Sequence, residues 1–125
     1  MKEPHWQLQQ LILSHLEEAG EEDVVCLLHT LHVSHDSKMR VEDVVGALTR
    51  LRARGLCTTG SARDAATGKW IEHDHTTADE LIATLPSSVE RNGNSWRWLP
   101  GREMFSILLT DNGMPASKRV LEDGV

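Results

Sequence analysis

The stretch RVEDVVGALTRLRARGL, residues 40–56, decides how this chain is read. Val41, Val44, Val45, Leu48 and Leu51 recur at helical spacing and predict one buried stripe. Gly55 stops the helix, and Leu56 resumes an apolar segment. At about 3.6 residues per turn, Asp43, Gly46, Ala47, Arg50 and Arg54 fall on the opposite side, with Ala53 at its edge. Small side chains and arginines there suit close approach to another surface. Arg52 points toward the stripe, where its stem would line the core edge and leave its charge in water.

Upstream, Pro4 and Gly20 punctuate a first helix. Leu8, Leu11, Ile12 and Leu16 share its apolar stripe, flanked by Trp6 and Leu13, and His15 points into the middle of it as a hydrogen-bonded core or interface histidine. A second helix, predicted at 21–33, starts on the carboxylates of EED and carries Val24, Leu27, Leu28 and Leu31 on one face. The turn formers SHDSK, residues 34–38, separate it from the third.

Downstream, residues 58–75 read as two β-prone arms around a turn at Ala66-Thr67-Gly68. Thr77 and Glu80 have capping-box spacing for a short helix that Pro86 stops, and SSVERNGNS (87–95) reads as a loop. SWRWL, PGR and EMFSILLT, residues 95–110, predict two strands about a tight turn, with Phe105, Ile107 and Leu109 on one face. Thr110 caps a final predicted helix at 112–122, in which Met114, Ser117 and Leu121 face one way.

The length of 125 residues predicts a single domain. The first residues lack the apolar centre of a signal peptide, and no apolar run is long enough to span a bilayer, which predicts a soluble, cytoplasmic protein. Cys26 and Cys57 form no CxxC pair and fit reduced thiols. The formal charge of −6 is unevenly spread: residues 38–69 hold seven basic and three acidic side chains, a local +4, against one and seven in residues 1–37. A local positive patch can meet phosphates on an acidic molecule.

The order helix, helix, turn, helix, hairpin, helix resembles a winged helix-turn-helix domain. The resemblance rests on ALTRLRARGL (47–56), which looks like a recognition helix with its exit into the sheet. It rests also on GREMFSILLTDNGMPASKRVLE (101–122), similar to the closing wing strand and following helix of the PadR and MarR transcription-factor families. There the strand ends in LTxxG, here Leu109, Thr110 and Gly113. What this implies is an α+β fold: a three-helix core, a β-hairpin wing at 94–110, an inserted hairpin and helix at roughly 60–93, and a C-terminal helix.

The function that follows is DNA-binding regulation of transcription, with no enzymatic activity and no cofactor. A helix fits the major groove, where arginine pairs with the guanine edge. Arg50 and Arg54 are the base-contacting candidates, Thr49 lies at their edge, Lys38 and Arg40 would hold the phosphate backbone, and Arg97 and Arg102 would serve the wing. Asp43 on the same side would repel phosphate unless it reads a cytosine amino group. Such regulators bind double-stranded DNA as homodimers, and Trp6, Leu13, Met114 and Leu121 offer apolar surface for one. The competing reading is a winged-helix module that binds protein instead.

CLLHTLHVSH, residues 26–35, places Cys26, His29, His32 and His35 every third residue. That spacing drifts by roughly 60° per step, so the four cannot converge from one helix. Zinc would need His73 and His75 alongside, and no metal site is assigned. No nucleophile elbow, phosphate loop or HExxH motif occurs.

Overall fold

The computed structural model describes residues 6–19, 21–34, 39–93 and 95–110. Lys38, His35, Gly113 and the predicted closing helix with Met114 and Leu121 lie outside them. The described chain is α+β: α1 (Trp6–Ala19), β1 (Glu21–Asp23), α2 (Val24–Ser34), α3 (Val41–Ala53), β2 (Cys57–Arg63), β3 (Trp70–Glu72), α4 (His75–Ala83), a 3₁₀ turn (Leu85–Ser87), β4 (Val89–Asn92), β5 (Ser95–Trp98) and β6 (Ser106–Leu109). The larger sheet runs β1-β6-β2-β3, antiparallel throughout, and β4 and β5 form a separate hairpin. Among the described residues, no helix is long and apolar enough to cross a membrane.

The core collects Ile12, Leu13 and Leu16 of α1, Leu27 and Leu28 of α2, Leu48 and Leu51 of α3, and Ile82, Phe105 and Ile107. Two helix faces are turned from their expected positions. In α1, Leu11 is exposed and Leu13 fully buried, because α2, α3 and β6 all pack on the Leu13 side. Leu13 is therefore no dimer surface. His15 sits at the rim instead of mid-stripe, 3.3 Å from the Glu22 carboxylate. In α3, Ala47 is buried although its expected place was outward, and Val41 and Val45 are only half-buried. The cause is α1, which packs on the flank that Ala47 shares with Arg54.

The acidic triplet Glu21–Asp23 is a strand, not the first turn of α2. Pairing with β6 (Glu21↔Leu108, Asp23↔Ser106) overrides the local preference of carboxylates for a helix start. Asp23 still caps α2, its Oδ1 accepting from the Val25 N–H at 2.9 Å.

The predicted 94–110 hairpin is not formed. β5 pairs with β4 across the Gly93 turn (Val89↔Trp98, Asn92↔Ser95), so the expected loop at 87–95 is half a hairpin. β6 instead enters the larger sheet between β1 and β2. The Pro100-Gly101 turn reverses the chain only locally, the Arg102 N–H reaching the Leu99 carbonyl at 3.3 Å. The helix that Thr110 was expected to cap lies outside the described residues; the Thr110 hydroxyl donates to the Gly55 carbonyl at 2.7 Å, tying the end of β6 to the end of α3.

α4 begins earlier than its capping-box reading, with Asp74 rather than Thr77 as cap. Asp74 Oδ1 accepts from the Thr77 N–H at 2.7 Å, and this bond holds its carboxyl below the usual carboxylate range. A depressed carboxyl stabilises the folded state above the unfolded-state value and loses that contribution as pH falls through the folded one. Protection of the Thr77 amide against exchange should therefore fall on acidification below about pH 4, and Asp74→Ala should lower it at neutral pH as well.

Candidate functional site

Among the described residues, three flanks of α3 are occupied and one is open. α1 covers the Ala47 flank, the sheet and core lie beneath Val44, Leu48 and Leu51, and α4 lies along the Arg52 flank. The remaining arc carries Glu42, Gly46, Thr49, Arg50 and Ala53, of which only Gly46 is half-buried and the others are exposed. It is a ridge of short side chains with one long cation, Arg50, and one carboxylate, Glu42, at its N-terminal end.

The basic residues divide by their place on the fold. Arg50 stands on the open ridge beside Thr49, whose hydroxyl donates back to the Val45 carbonyl at 2.7 Å. Arg54 leans onto α1, with its guanidinium carbon 5.9 Å from the Trp6 ring centroid and Nη1 3.4 Å from Gln9 Oε1. That cation–π contact spends Arg54 on helix packing and half-covers Trp6. Arg40, at the N-terminus of α3, keeps 73% of its side chain exposed and pairs with Asp43 at 3.8 Å. Asp43 also accepts the Arg40 backbone N–H at 3.2 Å, so this acid caps the helix, a role distinct from reading a base.

Arg97 pairs with Glu90 across the β4–β5 hairpin, which packs on α2. Arg102 lies exposed in the following turn. Neither belongs to a hairpin formed by residues 94–110, so the structure does not join them to Arg50 in the way the sequence implied. Lys38 lies outside the described residues.

Arg52 departs furthest from expectation. Only 6% of its side chain is exposed, and its charge is held by protein, not water. Nε donates to Asp79 at 3.1 Å, Nη1 to the Cys57 carbonyl at 3.4 Å, and Nη2 to His75 Nδ1 at 3.0 Å. Since arginine only donates, His75 Nδ1 accepts and its proton resides on Nε2. This network pins α4 to α3 beside a groove of about 430 Å³ lined by Thr49, Arg52, Ala53, His75, Asp79 and Ile82. Burial pushes the neighbouring Cys57 thiol up to about 12, which leaves it inert as a nucleophile.

The histidines disperse. Cys26 and His29 are exposed, while His32 is buried and accepts from Arg91 Nη2 at 2.9 Å. His73 lies between the hydroxyls of Thr59 (2.8 Å) and Ser61 (3.1 Å), and Glu103 approaches the same Nε2 at 3.5 Å. An acid on the nitrogen that faces the serine does not orient the ring as a nucleophile's base requires. Among the described residues, no group of three or more His, Cys, Asp or Glu side chains could hold a metal ion.

No family model, curated protein or solved structure matches this chain.

Proposed function

We propose that the chain is a winged-helix DNA-binding domain whose α3 enters the major groove, and the observation that carries this is the open ridge of α3. A groove about 12 Å wide admits one helix, and Gly46, Thr49 and Ala53 are short enough to let the backbone sit deep, with Arg50 reaching the base edges. The winged-helix reading is supported by the order of elements: three helices, a strand between the first two, and a closing strand that lies between β1 and β2. The segment between β2 and β6 carries β3, α4 and the β4–β5 hairpin and is the insert of this reading.

The set of contacting residues is narrower than sequence suggests. Arg50 is the base-reading cation and Thr49 its neighbour. Arg40, Arg97 and Arg102 are phosphate contacts, and Arg54 supports α1 instead. The pairs Arg40–Asp43 and Arg97–Glu90 do not forbid this role, because exposed ion pairs contribute at most about 1 kcal/mol and a phosphate can replace the carboxylate.

A second reading, a protein-interaction module, is favoured by those same pairs and by the formal charge of −6, which leave little net attraction for a polyanion. Salt separates the two. With about three phosphate contacts, DNA affinity should fall roughly 40-fold between about 50 and about 200 mM salt. Binding to random duplexes that is absent at low salt, or that ignores salt, favours the protein module.

A further inference from the structure

The larger sheet ends on β3, and among the described residues nothing pairs with the outer side of that strand. Its inner side is fixed by two bonds: the His73 N–H donates to the Thr59 carbonyl at 2.9 Å, and the Asp64 N–H to the Lys69 carbonyl at 2.7 Å. In an antiparallel ladder the N–H and C=O of one residue point the same way, and successive residues alternate. Lys69, Ile71 and His73 therefore turn their backbone groups toward β2. Trp70 and Glu72 turn theirs outward. Between them the Ile71 side chain is 55% exposed, and Met104 near the same end of the sheet is 61% exposed.

We infer that β3 is a self-association edge, on which a second copy of this chain pairs antiparallel about Ile71. The ladder itself limits the register, because outward residues must oppose outward residues. Centred on Glu72, two carboxylates would face each other. Centred on Trp70, each Ile71 would lie against a lysine, Lys69 of the other copy. Centred on Ile71, Trp70 and Glu72 exchange main-chain bonds with Glu72 and Trp70 of the second copy, and the two Ile71 side chains cover one another. That register opposes the two exposed Ile71 side chains, whereas a Trp70-centred one would oppose rings that are half-buried and already face the Arg63 guanidinium at 4.9 Å, and this self-complementarity favours a second copy over an unrelated strand. A three-residue edge gives a small interface and hence a weak, concentration-dependent dimer. The inference goes beyond the DNA-binding reading and does not depend on it.

The test uses the full chain with Cys26→Ser, since Cys57 is buried. Facing residues of a non-hydrogen-bonded pair lie with Cα atoms about 4.5 Å apart, within disulfide range. Under mild oxidant, Ile71→Cys should form covalent dimer roughly ten times faster than Met104→Cys, an equally exposed position off the two-fold axis. In sedimentation, the parent should dimerise as concentration rises. Glu72→Pro, which removes only an outward N–H, and the surface change Ile71→Lys should both stay monomeric. A parent that is monomeric at every concentration, equal cross-linking at the two positions, or a dimer that survives both variants overturns the assignment.

Discussion

Phe105→Ala is expected to destabilise the protein by about 3 to 5 kcal/mol, the largest effect of any single truncation. Phe105 is the only phenylalanine of the chain and is 2% exposed. It stands immediately before β6, where three structural units meet. Its ring lies 5.4 Å from that of Trp98 on the β4–β5 hairpin, tilted at 58°. Its carbonyl accepts the Val24 N–H at 3.3 Å, at the junction of β1 and α2. Truncation leaves a ring-sized void between parts of the fold that are far apart in sequence, so collapse around it would require the hairpin to shift as a body. Urea unfolding should show a lower midpoint at unchanged slope. Met104→Ala, one residue away but 61% exposed, should change stability by no more than about 0.5 kcal/mol. Equal losses at both positions would contradict the burial assigned to Phe105.

Gly60→Ala should cost about 1 to 3 kcal/mol, through contact rather than backbone conformation. Gly60 lies within β2, next to the irregularity where the β2–β3 register shifts. A Cβ there would stand 2.9 Å from the Ile71 carbonyl oxygen and 3.0 Å from Leu108 Cδ1. The first neighbour is backbone and cannot rotate away, so β3 must move off β2. The His73–Thr59 backbone bond should then weaken, and amide exchange at His73 should rise more than exchange in α1. By contrast, Gly93 has φ 65° and open space around its Cβ position, so substitution there strains the backbone without a clash. An unchanged melting temperature for Gly60→Ala would mean that the two strands are less closely apposed than the structure has them.

Elements with local punctuation were legible in the sequence. α3 lies at Val41–Ala53, with Gly55 at φ 72° just beyond it, because its stripe and terminal glycine act on adjacent residues. The β2–β3 hairpin was legible for the same reason. Its turn closes through the Gly68 N–H to the Asp64 carbonyl at 2.8 Å. β1 was hidden because EED is a good helix start locally, and its strand state depends on residues 106–108. The partner of β5 was hidden because two turns compete for it. Gly93 and Gly101 both adopt positive φ, and nothing within residues 95–98 says which turn closes a ladder.

The candidate site shows the same division. Arg50 and Thr49 were legible as outward residues of α3. Arg54 is exposed as expected, but its contact with α1 and the burial of Ala47 were hidden, because a helical wheel gives angles and does not say which flank a neighbouring helix covers. Arg52 was misplaced for a related reason: its counter-ion, Asp79, is 27 residues away on an element of the insert. The Arg91–His32 contact spans 59 residues and left no signal in either segment.

Guanine N7 methylation on a duplex selected by the protein from a random pool tests the central claim most directly, because N7 lies in the major groove. Arg50 on the α3 ridge predicts that one or more guanines are protected by the parent protein, that Arg50→Ala restores their methylation, and that Arg54→Ala leaves the protection in place. Unprotected guanines in a saturated complex, or protection indifferent to Arg50→Ala, would contradict the placement of α3 in the major groove.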